Sequence, residues 1–91
     1  MTIKIKSQVL TTDAEQDITV PTSSMMLGAG ELAGGIVVWY RCDDAAPTNT
    51  RHMAVRQTDG TTPSANEADY VGTAIISDVA YHVFERIAGR V

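Results

Sequence analysis

The sequence predicts a small antiparallel all-β domain, a sandwich or partly open barrel of about six to seven strands, complete in one chain or completed by homo-oligomerisation. Three observations predict this class. Apolar side chains recur at every second position, which is the period of a β-strand. Turn-forming residues separate these stretches at short intervals, and no stretch has a convincing helical period. The 91 residues, 44% of them hydrophobic, suit one folded domain over residues 1–91 rather than a disordered chain.

The first predicted strand spans Thr2–Leu10. Its apolar residues at odd positions share one face, while Lys4 and Lys6 share the other. Such a strand is expected to be half-buried, with its lysines protecting an exposed sheet edge. The apolar residues on its expected inner face are Ile3, Ile5 and Val9.

Two shorter strands and a glycine-rich region are predicted next. Asp17–Val20 alternates with Ile18 and Val20 inward, and Pro21 ends it because proline cannot donate to a strand ladder. Ser24–Leu27 is short and apolar, which indicates a third strand. Turns are predicted at the glycines that follow, Gly28, Gly30, Gly34 and Gly35.

The segment Gly35–Cys42 predicts a central strand with both faces covered, because it is apolar throughout and rich in β-branched residues. Its adjacent aromatics, Trp39 and Tyr40, point to opposite faces. One of them is therefore free to anchor a partner, unless both are buried between layers. After a polar loop at 43–50, Arg51–Gln57 predicts the next strand. The inward residues of that strand are expected to be Met53 and Val55.

A β-hairpin is predicted at the end of the chain. Tyr70–Ile76 and Val79–Glu85 are joined by the two residues Ser77 and Asp78, a weaker turn signal than Asn-Gly. A two-residue turn fixes which residues face each other. The predicted pairs are Ile76–Val79, Ala74–Tyr81, Gly72–Val83, Tyr70–Glu85, Thr73–His82 and Val71–Phe84, with Asp69 meeting Arg86 at the open end. A long polar loop, 58–69, precedes the hairpin.

Composition argues against several classes of function. The net charge is −4, with 7 Lys and Arg against 11 Asp and Glu, so a protein that coats nucleic acid is not expected. A charged start and the lack of a long apolar run predict neither a signal peptide nor a membrane span. The expected location is therefore a reducing cytoplasm.

Residues able to do chemistry are few, and an enzyme is not predicted. No catalytic motif is present, and Gly28-Ala29-Gly30 is interpreted as a turn rather than a dinucleotide fingerprint. His52 and His82 are expected to be isolated sheet residues rather than metal ligands. The single cysteine, Cys42, is expected to act as a small apolar side chain. No metal and no cofactor is predicted.

A binding recess is the sharper hypothesis for the middle of the chain. Arg41 lies on the Trp39 face, and Arg56 lies on a strand expected to neighbour it. With His52 they could bind a phosphate, a nucleotide or an acidic protein loop; the alternative is a solvated arginine pair. Acidic side chains in loops are further candidates for contact with a partner. They are Asp43, Asp44, Asp59, Glu67 and Asp69.

The chain's end carries a family resemblance. Asp69-Tyr70-Val71-Gly72-Thr73, followed by Ala80-Tyr81-His82-Val83-Phe84-Glu85, resembles a "YxGT…WHxFE" hairpin found in a family of small phage and prophage proteins. Looser similarities are Ile18-Thr19-Val20-Pro21, Val37-Val38-Trp39 and the strand over 51–60. Tyr81 stands where the family usually has Trp. The resemblance implies phage origin and a compact β domain, and it implies no catalytic residues.

Three functions are compatible with these features of the sequence. The first is a phage-encoded inhibitor that blocks a host defence complex, such as a CRISPR effector, by protein contact. The second is a virion component, a head-decoration or tail-associated protein. The third is a protein that sequesters a nucleotide signal. The expected partners are a host protein complex and a second copy of the chain, without direct binding to nucleic acid or membrane.

Overall fold

Seven β-strands account for the part of the chain that the computed structural model describes, residues 2–64 and 67–87. They form two antiparallel sheets that are not closed into a barrel, as the alternating pattern predicts. No helix long and apolar enough to cross a membrane occurs in these residues. The strands are β1 (Ile3–Leu10), β2 (Glu15–Pro21), β3 (Met25–Leu32), β4 (Gly35–Asp43), β5 (Thr48–Gln57), β6 (Ala68–Ile76) and β7 (Val79–Arg86).

The strands are divided between a three-stranded and a four-stranded sheet. The three-stranded sheet has the order β1-β4-β3, so the strand predicted to be central does lie in the middle. The prediction that both of its faces are covered is wrong, because the second sheet packs on one face only and leaves Arg41 exposed on the other. The four-stranded sheet has the order β2-β5-β7-β6. The two layers meet most closely where β3 lies against β6.

The hydrophobic core lies between the two sheets. Ile18 and Val20 on β2 and Met53 and Val55 on β5 are buried, as the sequence predicts. They pack with inward residues of the facing sheet, because alternate side chains of each strand point to the same side. Fully or almost fully buried members of this core include Ile36, Val38, Tyr40, Cys42, Ala74 and Val83.

The strand predicted at Ser24–Leu27 is longer than expected. It continues to Leu32 as β3, through Gly28 and Gly30, so the prediction of turns at these two glycines is wrong. Gly30 has a packing role: a Cβ at this position would stand 3.2 Å from Cζ3 of Trp39, so the absence of a side chain leaves room for the indole ring. The actual turn lies at Ala33 and Gly34, both of which have positive φ.

The hairpin register is correct near its turn and wrong near its open end. Gly72 faces Val83 and Ala74 faces Tyr81, as predicted. A β-bulge between Tyr70 and Gly72 then inserts one extra residue, so later pairs shift by one position. The predicted pairs Tyr70–Glu85, Val71–Phe84 and Asp69–Arg86 are therefore wrong, and the structure instead pairs Tyr70 with Phe84, Asp69 with Glu85 and Ala68 with Arg86.

Candidate functional site

The outer face of the three-stranded sheet is the most distinctive surface of the molecule. Most of the large hydrophobic side chains that are exposed in the described residues lie there. β1 contributes three side chains at 56–70% exposure, and β3 contributes two at 52–55%. We define the outer face by Ile3, Ile5 and Val9 on β1, Trp39 and Arg41 on β4, and Met25 and Leu32 on β3.

The expectation that β1 would bury its isoleucines is wrong. The second sheet packs on the other side of β4, where Tyr40 and Cys42 are buried. Register places Lys6 beside Tyr40 and Lys4 beside Cys42, so the lysines share the core side and the isoleucines face outward. Alternation shows that two faces differ, but it does not show which face another layer covers.

Register also explains how the outer face is assembled from three strands. Ile5 faces Arg41, and Arg41 faces Met25 on the far strand, so these three residues form one row across the sheet. Within that row, Nη2 of Arg41 lies 3.6 Å from Sδ of Met25. In the neighbouring rows the Trp39 ring extends over Gly30. The sequence left open whether both adjacent aromatics are buried; in the structure Tyr40 is buried in the core and Trp39 is half-buried on the outer face.

The dimensions and composition of the outer face suit contact with a protein. Three strands of eight to nine residues make a surface of roughly 14 Å by 26 Å. Tryptophan, methionine and arginine are enriched where protein interfaces bind most strongly. This face, about 360 Å² with its polar residues included, is within the range of the largest apolar patch on a typical monomer, and such patches are often functional.

A small cluster of ion pairs lies beside β1, on the side of the strand that faces the core. Asp44, just beyond β4, binds Lys4 at 3.0 Å and also binds Lys6. The hydrogen bond from Lys6, followed by that from Lys4, holds the pKa of Asp44 below its usual value. Donating this hydrogen bond to Asp44 is also the largest cause that raises the pKa of Lys6. Two lysines balance the single carboxylate of Asp44, so the cluster carries no excess negative charge, and Asp43, which faces Ile3, is the acidic residue at that end of the outer face.

The predicted recess of two arginines, a tryptophan and a histidine does not form. Arg56 and His52 lie on β5, which belongs to the four-stranded sheet, so they are not neighbours of Trp39 and Arg41. The expectation that their strands would be adjacent is wrong, because β5 pairs with β2 and β7 instead. The nucleotide-sequestering hypothesis depended on this recess and loses its geometric basis.

Arg56 instead belongs to an ion network on the outer side of the four-stranded sheet. Glu15 receives two hydrogen bonds from Arg86, at 2.6 and 3.0 Å, and one from Arg56 at 2.6 Å. The pKa of Glu15 is lowered from 4.5 to about 2, and the hydrogen bonds from Arg86 are the largest cause. The hydrogen bond from Arg56 contributes to the same shift. Glu67, a predicted contact residue, lies 3.5 Å from Arg86 in the same network. This network links β2, β5 and β7, which indicates a structural role.

The remaining predicted contact residues are scattered. His52 pairs with Asp17, and Asp59 adopts a positive φ of 70° in the turn after β5. Asp69 lies on β6 at a cavity of about 460 Å³ between the ends of the two sheets. That cavity also contains a pair that no sequence pattern predicts, in which the guanidinium of Arg51 binds the buried carboxylate of Glu85.

The cysteine and His82 belong to different sheets, on β4 and β7. The only cysteine, Cys42, is 3% exposed and packs in the core, as expected for a small apolar side chain. His82 is held between the hydroxyls of Thr58 and Thr73, at 2.9 and 3.0 Å. Residues 2–64 and 67–87 include no group of three or more metal-ligating side chains placed to hold an ion.

Comparison with known proteins yields one match. The model of a family described as a domain of unknown function, DUF7352, covers residues 1–90. No curated protein and no solved structure matches the chain.

Proposed function

We propose that this chain, which belongs to the DUF7352 family, is a non-enzymatic binding protein that places the outer face of its three-stranded sheet against a partner protein. The observation that carries the proposal is the exposure of Ile3, Ile5 and Val9 beside Trp39 on one flat surface. Leaving this much apolar surface in water is unfavourable by about 25 cal/mol per Å². A partner that covers the outer face removes that cost.

Trp39 and Arg41 are the expected centre of the contact. Both lie on β4, the middle strand, so neighbouring strands flank them on each side. Residues at the centre of an interface lose water most completely, and tryptophan and arginine there contribute most to affinity. Ile5 and Met25 complete the row on either side of Arg41 and exclude water from its edges.

Charge around the outer face favours a partner with a basic border. The chain carries a net charge of −4, and Asp43 lies at one end of the outer face. Complementary charge speeds association and disfavours wrong partners. Defence proteins that bind nucleic acid offer such basic surfaces, since phosphate binding requires clustered Lys and Arg.

The finer proposal is that the chain is a phage-encoded inhibitor that occupies such a surface on a host defence complex, for example a CRISPR effector. Its support is the resemblance of the terminal hairpin to small phage proteins, together with an outer face suited to protein contact. The proposal assigns no catalytic step to any residue. Inhibition would follow from occupying the surface that the complex needs for its own ligand.

The test measures binding of the purified chain to purified host defence complexes. Trp39→Ala is expected to weaken binding at least about thirtyfold, as for a central hot-spot residue. Tyr70→Ala is the matched control, because Tyr70 is a 60% exposed aromatic on the other sheet. It is expected to bind like the wild type. Circular dichroism checks that both variants fold.

Two results would overturn the proposal. If both aromatic variants bind equally well, the outer face is not the contact surface. If mass spectrometry finds the chain in stoichiometric amounts in purified virions and no defence complex binds it, the virion role replaces inhibition.

A further inference from the structure

The outer edge of β1 is an open strand edge with an exposed apolar side. β1 pairs with β4 on one side and is the last strand of its sheet in the described structure. An edge strand presents a row of backbone N–H and C=O groups that can pair with another strand. Ile3, Ile5 and Val9 along this strand are 56%, 70% and 65% exposed.

The usual protection of such an edge is weakened here. Lysines on edge strands discourage pairing because their charges would be brought together or desolvated. Lys4 and Lys6 are both bound to Asp44 of their own chain, on the core side of the strand. Their charge is thereby partly balanced, and the apolar side of the strand carries no charge at all between Ile3 and Val9.

We propose that β1 pairs antiparallel with β1 of a second copy, with Ser7 facing Ser7 on the two-fold axis. The resulting sheet would have six strands in the order β3-β4-β1-β1-β4-β3. The two outer faces would then form one continuous apolar surface. This inference does not depend on the proposed partner, since it concerns the strand edge rather than the outer face.

The sequence of β1 selects this register over its neighbours. An antiparallel pair that centres on Lys6 places the two Lys6 side chains directly opposite each other, and one that centres on Ile5 places Lys4 opposite Lys6. Like charges directly opposite each other destabilise a strand pair. A pair that centres on Gln8 also keeps the lysines of the two copies from facing each other, but it joins only residues 6–10 of each strand.

Centring on Ser7 joins residues 4–10 without opposing lysines. Ile5 then faces Val9 of the other copy, twice by symmetry, and Lys6 faces Gln8. Apolar and β-branched cross-strand pairs stabilise a sheet. Two copies of the same strand are therefore complementary to each other in this register.

The size of the contact predicts a reversible dimer rather than a permanent one. Seven facing residue pairs bury less than the roughly 800 Å² per partner of a standard interface. The expected dissociation constant is therefore micromolar, and the protein changes from monomer to dimer as its concentration rises. Sedimentation velocity over a wide concentration range measures this.

Cysteine cross-linking tests the register directly. Ser7→Cys places two thiols directly opposite each other, about 4.5–5.5 Å apart at Cβ, and is expected to form a dimer disulfide under mild oxidation. Ile5→Cys separates the thiols along the strand and is expected to cross-link slowly. Thr50→Cys, an exposed position on β5, is the matched control. Every variant keeps the buried Cys42, so its contribution is constant.

A charged side chain introduced at the two-fold axis of the dimer provides a second test of the register. Ser7→Asp brings two carboxylates together and is expected to raise the dimer dissociation constant at least about tenfold. Thr50→Asp is expected to leave it unchanged. A chain that stays monomeric up to millimolar concentration overturns the proposal, as does faster cross-linking of Ile5→Cys than of Ser7→Cys. Equal dimerisation of Ser7→Asp and the wild type also overturns it.

Discussion

The backbone of Gly72 on β6 lies directly against the backbone of Ala29 on β3. A Cβ built on Gly72 would stand 2.5 Å from the amide nitrogen of Ala29 and 2.8 Å from its carbonyl oxygen. Both atoms belong to the main chain and cannot rotate away. This contact is where the two sheets approach each other, and the absence of a side chain at Gly72 sets their separation.

Gly72→Ala is therefore expected to force the sheets apart and to reduce the free energy of unfolding by about 1–3 kcal/mol. Urea denaturation followed by tryptophan fluorescence measures the loss. Gly28→Ala is the matched control, because a Cβ at Gly28 meets no atom within 4 Å. Equal stability of the two variants would contradict the proposed role of this contact.

The exposed and buried isoleucines predict opposite responses to the same substitution. Ile5→Thr is expected to change stability by no more than about 0.5 kcal/mol, since Ile5 is 70% exposed. Ile18→Thr is expected to cost about 2 kcal/mol or more, since Ile18 is 5% exposed and a hydroxyl would enter the core. Thermal denaturation at low protein concentration compares them. A larger loss for Ile5→Thr would show that β1 faces the other way.

Because Arg51 and Glu85 form a buried ion pair, removing one of them alone is expected to destabilise the fold more than removing both. Arg51→Met leaves the carboxylate of Glu85 without its cation at 7% exposure, and it is expected to cost about 3–5 kcal/mol. Arg51→Met combined with Glu85→Met is expected to restore part of that loss, because no charge stays buried. Denaturant unfolding of both variants measures the difference. A double variant less stable than the single one would contradict this reasoning.

The lowered pKa of Glu15 predicts that the folded protein loses stability in acid. Its pKa is lowered in the folded protein from 4.5 to about 2, mainly by Arg86. The carboxylate therefore stabilises the fold fully above pH 4.5, and this contribution is lost as the pH falls from 4.5 towards 2. Because the side chain is half exposed, the expected size is only about 0.5–1 kcal/mol.

The measurement for Glu15 is the stability difference between the wild type and Glu15→Gln as a function of pH. It is expected to be largest near neutral pH and to shrink through the acid range. Asp13→Asn, at an exposed position in the preceding loop, provides the comparison for loss of a single negative charge. A difference that does not change between pH 6 and pH 2 would show that the ion network contributes nothing.

The turn of the terminal hairpin predicts a stabilising change. Ser77 and Asp78 have φ values of 50° and 68°, a left-handed conformation that glycine and asparagine adopt more readily. Replacing the two residues by Asn and Gly is expected to raise the free energy of unfolding by about 1 kcal/mol. The thermal midpoint should rise accordingly. A fall in the midpoint would mean that one of the native side chains stabilises the turn.

The sequence by itself determined the all-β class, the central strand and the hairpin near its turn. These depend on local information: alternation shows where strands run, and a two-residue turn fixes which residues face each other. Ile76 and Val79 face each other for that reason. The prediction failed beyond Gly72, because a bulge at Val71 shifts the register by one residue and the turn does not determine pairing beyond a bulge.

Only the tertiary structure decided which side of each strand is covered. Ile5 and Ile18 have the same alternating surroundings in sequence, yet one lies in water and the other in the core. The same reason separates Arg41 from Arg56, whose strands belong to different sheets. Strand pairing and layer packing are set by contacts between distant residues, whereas a side-chain pattern with a period of two is symmetric with respect to the two faces of a strand.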